Sequence, residues 1–280
     1  MPGGDQYDEY DDASVEAARS AIIELMTVLG EYRDEIVLVG GWVPFLSLDA
    51  PEDPLDRHPG SADVDIVLDH LKLEEAGYET IAKRLQDADY EPVGEQPFQF
   101  SKVISGVVVH IDLLAGQYAG TGKKHRTQKI QDVKARKARG ADLVFQIGPD
   151  KREISGQLPD GSHDRVVVPI ASVVPFIIMK CFAMDDRRKS KDPFDIWYVA
   201  KRYPGGIDAL IEAFRPHLGS GLVKLGLEIL ARKFERFDSW APTQVGKFDS
   251  ALNDEEQNAR QRDSYERMGH LLTELGFRTT

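Results

Sequence analysis

The chain has 280 residues, 41% hydrophobic and 29% charged, a globular balance that excludes a disordered or fibrous protein. Its formal charge is −12, yet residues 123–139 (KKHRTQKIQDVKARKAR) hold eight Lys and Arg against one Asp, a local +7 that leaves −19 for the rest. The bulk charge excludes a protein that coats nucleic acid with its whole surface, but one concentrated basic stripe suffices to bind phosphates.

In chain order, residues 1–12 read as a short acidic disordered tail, with acids where a secretory signal carries Lys or Arg. From Ala13 the apolar positions Val15, Ala18, Ile22, Met26 and Leu29 recur at helical spacing until Gly30. EIVLVGG (35–41) predicts a buried strand running into a glycine turn, WVPFLSL a short helix, and 49–61 a loop rich in Pro and Asp. ADVDIVLD (62–69) predicts a strand and 71–87 a helix; 97–104 and 107–114 predict two strands joined by Ser105-Gly106. After the basic segment, 143–147 and 164–169 read as further strands. The longest apolar run, 166–179, is broken by Pro169 and Pro175 and is too short to span a bilayer. Beyond Ile170 the period turns helical, with helices expected at 171–187, 192–203, 206–215, 217–235 and 254–275. The lone cysteine, Cys181, excludes a disulfide framework and a cysteine-based zinc site. The reading is an α+β protein: a tail (1–12), a mixed sheet with helices (13–169) and an all-helical C-terminal domain (170–280), cytoplasmic and with no membrane partner.

Chemistry concentrates in the carboxylates. Asp63 and Asp65 lie two apart on one strand, so they share a face, roughly 7 Å apart along the chain. Val64, Ile66, Val67 and Leu68 mark that strand as buried, a costly place for unpaired charge that a bound divalent metal would relieve. Asp112 interrupts the apolar strand VVVHIDLL; beside 63–68 it would complete a set of three acids able to hold metals. An Asp-x-Asp at a strand end is also compatible with solvation or capping. Gly40-Gly41 ends the first strand, where backbone N–H groups can approach a phosphate.

The runs LVGGWVPFL and RHPGSADVDIVL resemble the nucleotidyltransferase superfamily with a polymerase-β-like palm: strand, glycine turn, then Asp-x-Asp. Within it the chain looks most like the AbiEii/AbiGii toxin family, with Arg57 and Ser61 approaching Asp63 and Asp65. KCFAMDDRRKSKDPFDIWYV carries that family's second spacing on Lys180, Arg187, Lys191, Asp192, Asp195 and Ile196 without gaps. The likeness covers roughly residues 35–202 and departs from the family in the 21 residues between Gly41 and Asp63, a loop insertion.

The resemblance implies a metal-dependent enzyme that moves an NMP from an NTP to a hydroxyl acceptor and releases pyrophosphate. Its catalytic residues would be Asp63, Asp65, Asp112 and Lys180; its metal ligands, for Mg²⁺ or Mn²⁺, the same three aspartates. Gly40, Gly41, Ser61, Lys180, Arg187, Asp192 and Asp195 would bind or brace the nucleotide. It further implies the toxin of a type IV toxin–antitoxin or phage-defence pair, with a cognate antitoxin as partner and a tRNA 3′ end or other RNA as acceptor. Lys123, Lys124, Arg126, Lys134, Arg136, Lys137 and Arg139 are the residues of the basic segment placed to bind RNA, against the plainer reading of a solvated charged run. Two alternatives stay open: a small-molecule (antibiotic-type) nucleotidyltransferase, and a non-catalytic nucleotide- or partner-binding regulator with the same fold. Cys181, His110, Trp197 and Tyr198 read as structural.

Overall fold

The computed structural model describes Tyr7 and residues 10–48, 57–73, 80–94, 98–117, 127–130 and 133–278. The rest of the expected N-terminal tail, the 49–56 part of the Pro/Asp loop, the middle of the expected 71–87 helix and Lys123, Lys124 and Arg126 lie outside the described residues. The chain divides into two units. The first holds residues 11–43 and 60–175; the second holds 176–280 together with 44–59 and the N-terminal stretch containing Tyr7 and Tyr10.

In the first unit, helix α1 (Asp12–Val28) starts where the Asp11 side chain accepts a hydrogen bond from the Ser14 amide at 2.8 Å. Its apolar stripe, Val15 to Met26, is buried as the spacing requires, and it packs across the sheet strands. The strands are β1 (Ile36–Val39), β2 (Val64–Leu68), β3 (Glu91–Pro92), β4 (Gln99–Ile104), β5 (Val107–Gly116), β6 (Thr127–Ile130), β7 (Val133–Ala138), β8 (Asp150–Gln157) and β9 (His163–Ile170). Among the described residues they form one mixed sheet in the order β3-β4-β5-β2-β1-β9-β8, with β7 pairing to β5 and β6 off that path. Short helices α3 (His70–Leu73), α4 (Ile81–Asp87) and α5 (Asp142–Ile147) fill its connections, and α2 (Trp42–Ser47) begins in this unit and ends in the second.

Strand β5 organises this sheet. It lies parallel to β2 on one side. On its other side β4 pairs antiparallel with Val107–Asp112, and β7 then takes over in parallel at Leu114–Gly116. Val109, Ile111 and Leu113 are buried, while Val108 is exposed and His110 and Asp112 half-buried, so β5 has one core face and one open face. The hairpin from β4 turns at Ser105 and Gly106 with φ of 52° and 83°, the left-handed pair that matches strand twist.

The second unit is helical: α6 (Val173–Asp186, entering it at Phe176), α7 (Lys191–Arg202), α8 (Gly206–Phe214), α9 (Gly221–Lys233), α10 (Trp240–Lys247) and α11 (Asp254–Glu274). Helix α7 is its centre, buried at every residue from Lys191 to Ala200, with α8, α10 and α11 against it. Asn253 and Glu256 form a capping box at the start of α11. Trp197, Tyr198 and Cys181 are buried, as expected of core residues. Among the described residues no helix is long and apolar enough to cross a membrane.

The α+β class and the helical C-terminal region match the sequence expectation; several local features differ, among them the unexpected β3, and the helix expected over 71–87, where the described residues form α3 and α4 with Thr80 capping the second. Residues 143–147 form helix α5 rather than a strand, because a five-residue apolar run does not reveal its period. The described part of the basic segment pairs as the strands β6 and β7, a pairing not expected from the sequence. Strand β8 escapes notice because its sequence, DKREISGQ, is polar, as a largely exposed edge strand can be. Helix α10 was not expected at all.

Candidate functional site

The first unit carries the acids. Register places Asp65 of β2 directly beside Asp112 of β5, and Gln99 of β4 directly beside Asp112 on the other side. Residues in register on neighbouring strands share a face, so Asp65, Asp112 and Gln99 form one row, with strands about 4.8 Å apart. Both carboxylates are half-buried. Two such charges about 5 Å apart repel by about 3 kcal/mol at an effective dielectric of 20, so the row needs positive charge or donors around it. Gln99 Nε2 donates to Asp112 Oδ1 at 2.8 Å, and Arg136 Nη2 of β7 donates to Oδ2 at 3.3 Å.

The glycine turn meets the same row. Val39, the last residue of β1, is the register partner of Asp65. Gly40 follows with φ +74°, and a Cβ built on it would collide with the Asp65 carboxylate and sit 3.3 Å from its Cγ. Glycine is required there twice over, by backbone conformation and by the approach of the acid. Asp63 stands just before β2; its carbonyl accepts a hydrogen bond from Trp42 Nε1 at 3.1 Å, which ties the start of β2 to the residue after Gly41. The structure thus brings together Gly40, Asp65, Asp112 and the backbone of Asp63. Ser61 is half-buried two residues before Asp63. Among the described residues, no group of three or more His, Cys, Asp and Glu is gathered closely enough to hold a metal ion. Asp65 and Asp112 form an in-register pair, with Asp63 two residues before Asp65.

Of the basic segment, Lys134 is exposed and Arg136, Lys137 and Arg139 are half-buried on and just after β7. Arg136 also lies over the Phe98 ring at 5.8 Å.

The second unit carries a separate ionic network. Lys180 Nζ contacts Asp192 Oδ1 at 2.9 Å and Asp195 Oδ2 at 2.7 Å, and all three side chains are at least nine-tenths buried. Arg187 reaches Asp192 through Nε at 3.0 Å and Nη2 at 3.2 Å, with 46% of its side chain exposed. Lys191, one turn before Asp195, adds a contact of 3.1 Å. Burial alone would lower the Lys180 pKa, but Asp192 and Asp195 hold it above the usual lysine value. Burial alone would raise the Asp195 pKa, but Lys180 and Lys191 hold it well down. Lys191 is pushed down to about 8, chiefly by burial.

Sequence reasoning missed His58. From the Pro/Asp loop its Nε2 meets Asp195 Oδ1 at 2.9 Å, and its ring lies 5.0 Å from that of Tyr198. A carboxylate only accepts, so Nε2 carries the proton in this bond. A histidine in a loop 137 residues from its partner gives no local signal. Burial, then the nearby Lys191 charge, depress its pKa from 6.5 to about 4.

The chain matches no known protein family and no curated protein.

Because the fold favours neutral His58, its contribution to stability is full above pH 6.5 and declines as pH falls from 6.5 towards 4. Across that window the loss should reach about 3 kcal/mol. Denaturant melts at pH 7, 5.5 and 4.5 should show this slope in the wild type and a flatter one in His58→Gln. Equal slopes would mean that another group titrates.

Proposed function

We propose that this protein is a nucleotidyltransferase that moves an NMP from an NTP to a hydroxyl acceptor and releases pyrophosphate. The observation that carries the reading is the in-register pair Asp65–Asp112 beside the Gly40 turn. The likeness of its two motifs to the AbiEii/AbiGii toxin family, with a polymerase-β-like palm, supports it.

The donor chemistry fits Mg²⁺ or Mn²⁺: hard carboxylate oxygens, and Mg²⁺ is commonly held by one or two carboxylates plus substrate phosphates rather than by an all-protein cage. Asp65 and Asp112 would hold the cation together with the substrate phosphates, in place of the three-acid set expected from the sequence. When bound, it supplies positive charge to the reacting phosphate oxygens. The residues of the chain supply the rest. The Asp112 carboxylate would accept the proton of an attacking hydroxyl. The backbone at Gly40 and Gly41 can approach phosphates that a Cβ would keep away, and Ser61 offers a hydroxyl nearby in sequence. The resemblance gives Lys180 and Arg187 a triphosphate-binding role; Lys180 is enclosed by Asp192 and Asp195, and Arg187 is the member most open to solvent.

The acceptor we favour is RNA, a tRNA 3′ end in the family's pattern, because the hairpin β6–β7 sets basic side chains beside the strand that bears Asp112. In that reading the protein is the toxin of a type IV toxin–antitoxin or phage-defence pair, in the cytoplasm, with a cognate antitoxin as partner.

Incubation of the purified protein with each α-labelled NTP, Mg²⁺ and RNA, protein or metabolite fractions should label RNA. Asp65→Asn should lose this by more than the roughly 100-fold typical of outer-sphere changes, while remaining folded. Label transfer at the wild-type rate by Asp65→Asn would falsify the site. Lys180→Ala is expected to cost about 3–5 kcal/mol of stability by stranding buried carboxylates, so Arg187→Gln is the cleaner probe. It should weaken NTP binding with little change in Tm.

Binding of RNA should depend on salt through the hairpin. Replacing Lys134, Lys137 and Arg139 with Ala should lower affinity and flatten the log–log salt slope by about two units, at roughly 0.7–0.9 per phosphate contact. An unchanged slope would move the acceptor to a small molecule or protein.

A further inference from the structure

Neighbouring carboxylates on buried strands need a positive partner, and one is present without any metal. Asp112 lies where β5 changes neighbours, from β4 to β7. Gln99, the first residue of β4, takes Oδ1, and Arg136 of β7 takes Oδ2. The two donors are not equivalent. An amide is neutral and can stay on its oxygen while a cation binds beside it. A guanidinium carries a full charge that cannot be removed by deprotonation in this setting, so it competes with a divalent cation for the same carboxylate.

We infer that Arg136 is the built-in counter-ion of the acid pair, a positioning residue that holds Asp112 when the site is metal-free and must leave Oδ2 for a divalent cation to load. The inference rests on the reading of Asp65 and Asp112 as a cation site. Three observations carry it. The contact is made to the carboxylate in register with Asp65, not to a distant surface acid. The Arg136 side chain is 43% exposed against 17% for Asp112, so it has a route away from the row while the acid stays in place. Its guanidinium also rests over Phe98 at 5.8 Å, a second seat beside the row. The strand that delivers it is the basic one. A polyphosphate drawn to β7 would offer Arg136 a bidentate partner in place of Asp112, so acceptor binding and cation loading favour one another.

The test is Mn²⁺ binding to the full-length protein, followed by the loss of the free-ion EPR signal, together with thermal melts with and without Mn²⁺. Four variants are compared with the wild type: Arg136→Gln, Arg136→Met, Asp65→Asn, and Lys151→Gln, which removes one exposed charge from β8. A half-exposed ion pair is worth little, so removing it should tighten Mn²⁺ binding by about two- to five-fold. Either Arg136 variant should show this, and Lys151→Gln should not. Both Arg136 variants should melt lower than wild type without metal and recover with saturating Mn²⁺. If they bind Mn²⁺ as the wild type does and melt lower by the same margin with and without it, Arg136 is a structural ion-pair partner and the inference is overturned, with the cation site intact. If the wild type and the Arg136 variants bind no Mn²⁺ either alone or with a non-hydrolysable NTP, or Asp65→Asn binds it as the wild type does, the cation site itself is refuted and the counter-ion role with it.

Discussion

The constraint on which the first unit depends is the placement of two carboxylates side by side on β2 and β5, two strands whose other positions are mostly aliphatic. Val64, Ile66 and Val67 on β2 and Ile111 and Leu113 on β5 are fully buried. These residues fix the register, because a slip of one position would turn the acids into the core and the aliphatics out of it. Once the register is set, Asp65 and Asp112 have to be adjacent. Everything around them answers that adjacency: an amide from Gln99, a guanidinium from Arg136, and a glycine where the Asp65 carboxylate needs room. A hydrophobic pair would serve the sheet better, which is why the acids point to chemistry rather than to folding.

The second unit solves a related problem in the opposite way. Its buried carboxylates, Asp192 and Asp195, are met by Lys180, Lys191 and Arg187, three cations against two acids. Lys180 and Lys191 are buried, and Arg187 is the member of the network most open to solvent. His58 closes the network as a neutral donor, held so by its burial and then by the Lys191 charge. The Pro/Asp loop therefore has a definite structural task at its end, the docking of His58 and its neighbours on α7.

The sequence was informative wherever one period dominated. The run IVLV and the alternation of acid and aliphatic from 63 to 68 identified β1 and β2, and Ser105-Gly106 marked the hairpin to β5. It was opaque where charge hid the pattern. In VKARKA, Val133 and Ala135 alternate inward as a strand should, but four basic side chains on or just after this strand read first as an electrostatic patch. The acids were legible as candidates, and their side-by-side placement followed only from the parallel pairing of β2 with β5. Arg136 at Asp112 depends on a pairing across 24 residues, and His58 at Asp195 on one across 137, so neither could be read from local spacing.

The central claim is that the Asp65–Asp112 pair binds a divalent cation together with a nucleotide. Its most direct test is the anomalous scattering of Mn²⁺ in crystals of the protein grown with a non-hydrolysable NTP. The account requires a Mn²⁺ peak at Asp65 and Asp112 when nucleotide is bound, with Arg136 withdrawn from Oδ2. Bound nucleotide with no peak at these aspartates, and Arg136 still on Asp112, would contradict it.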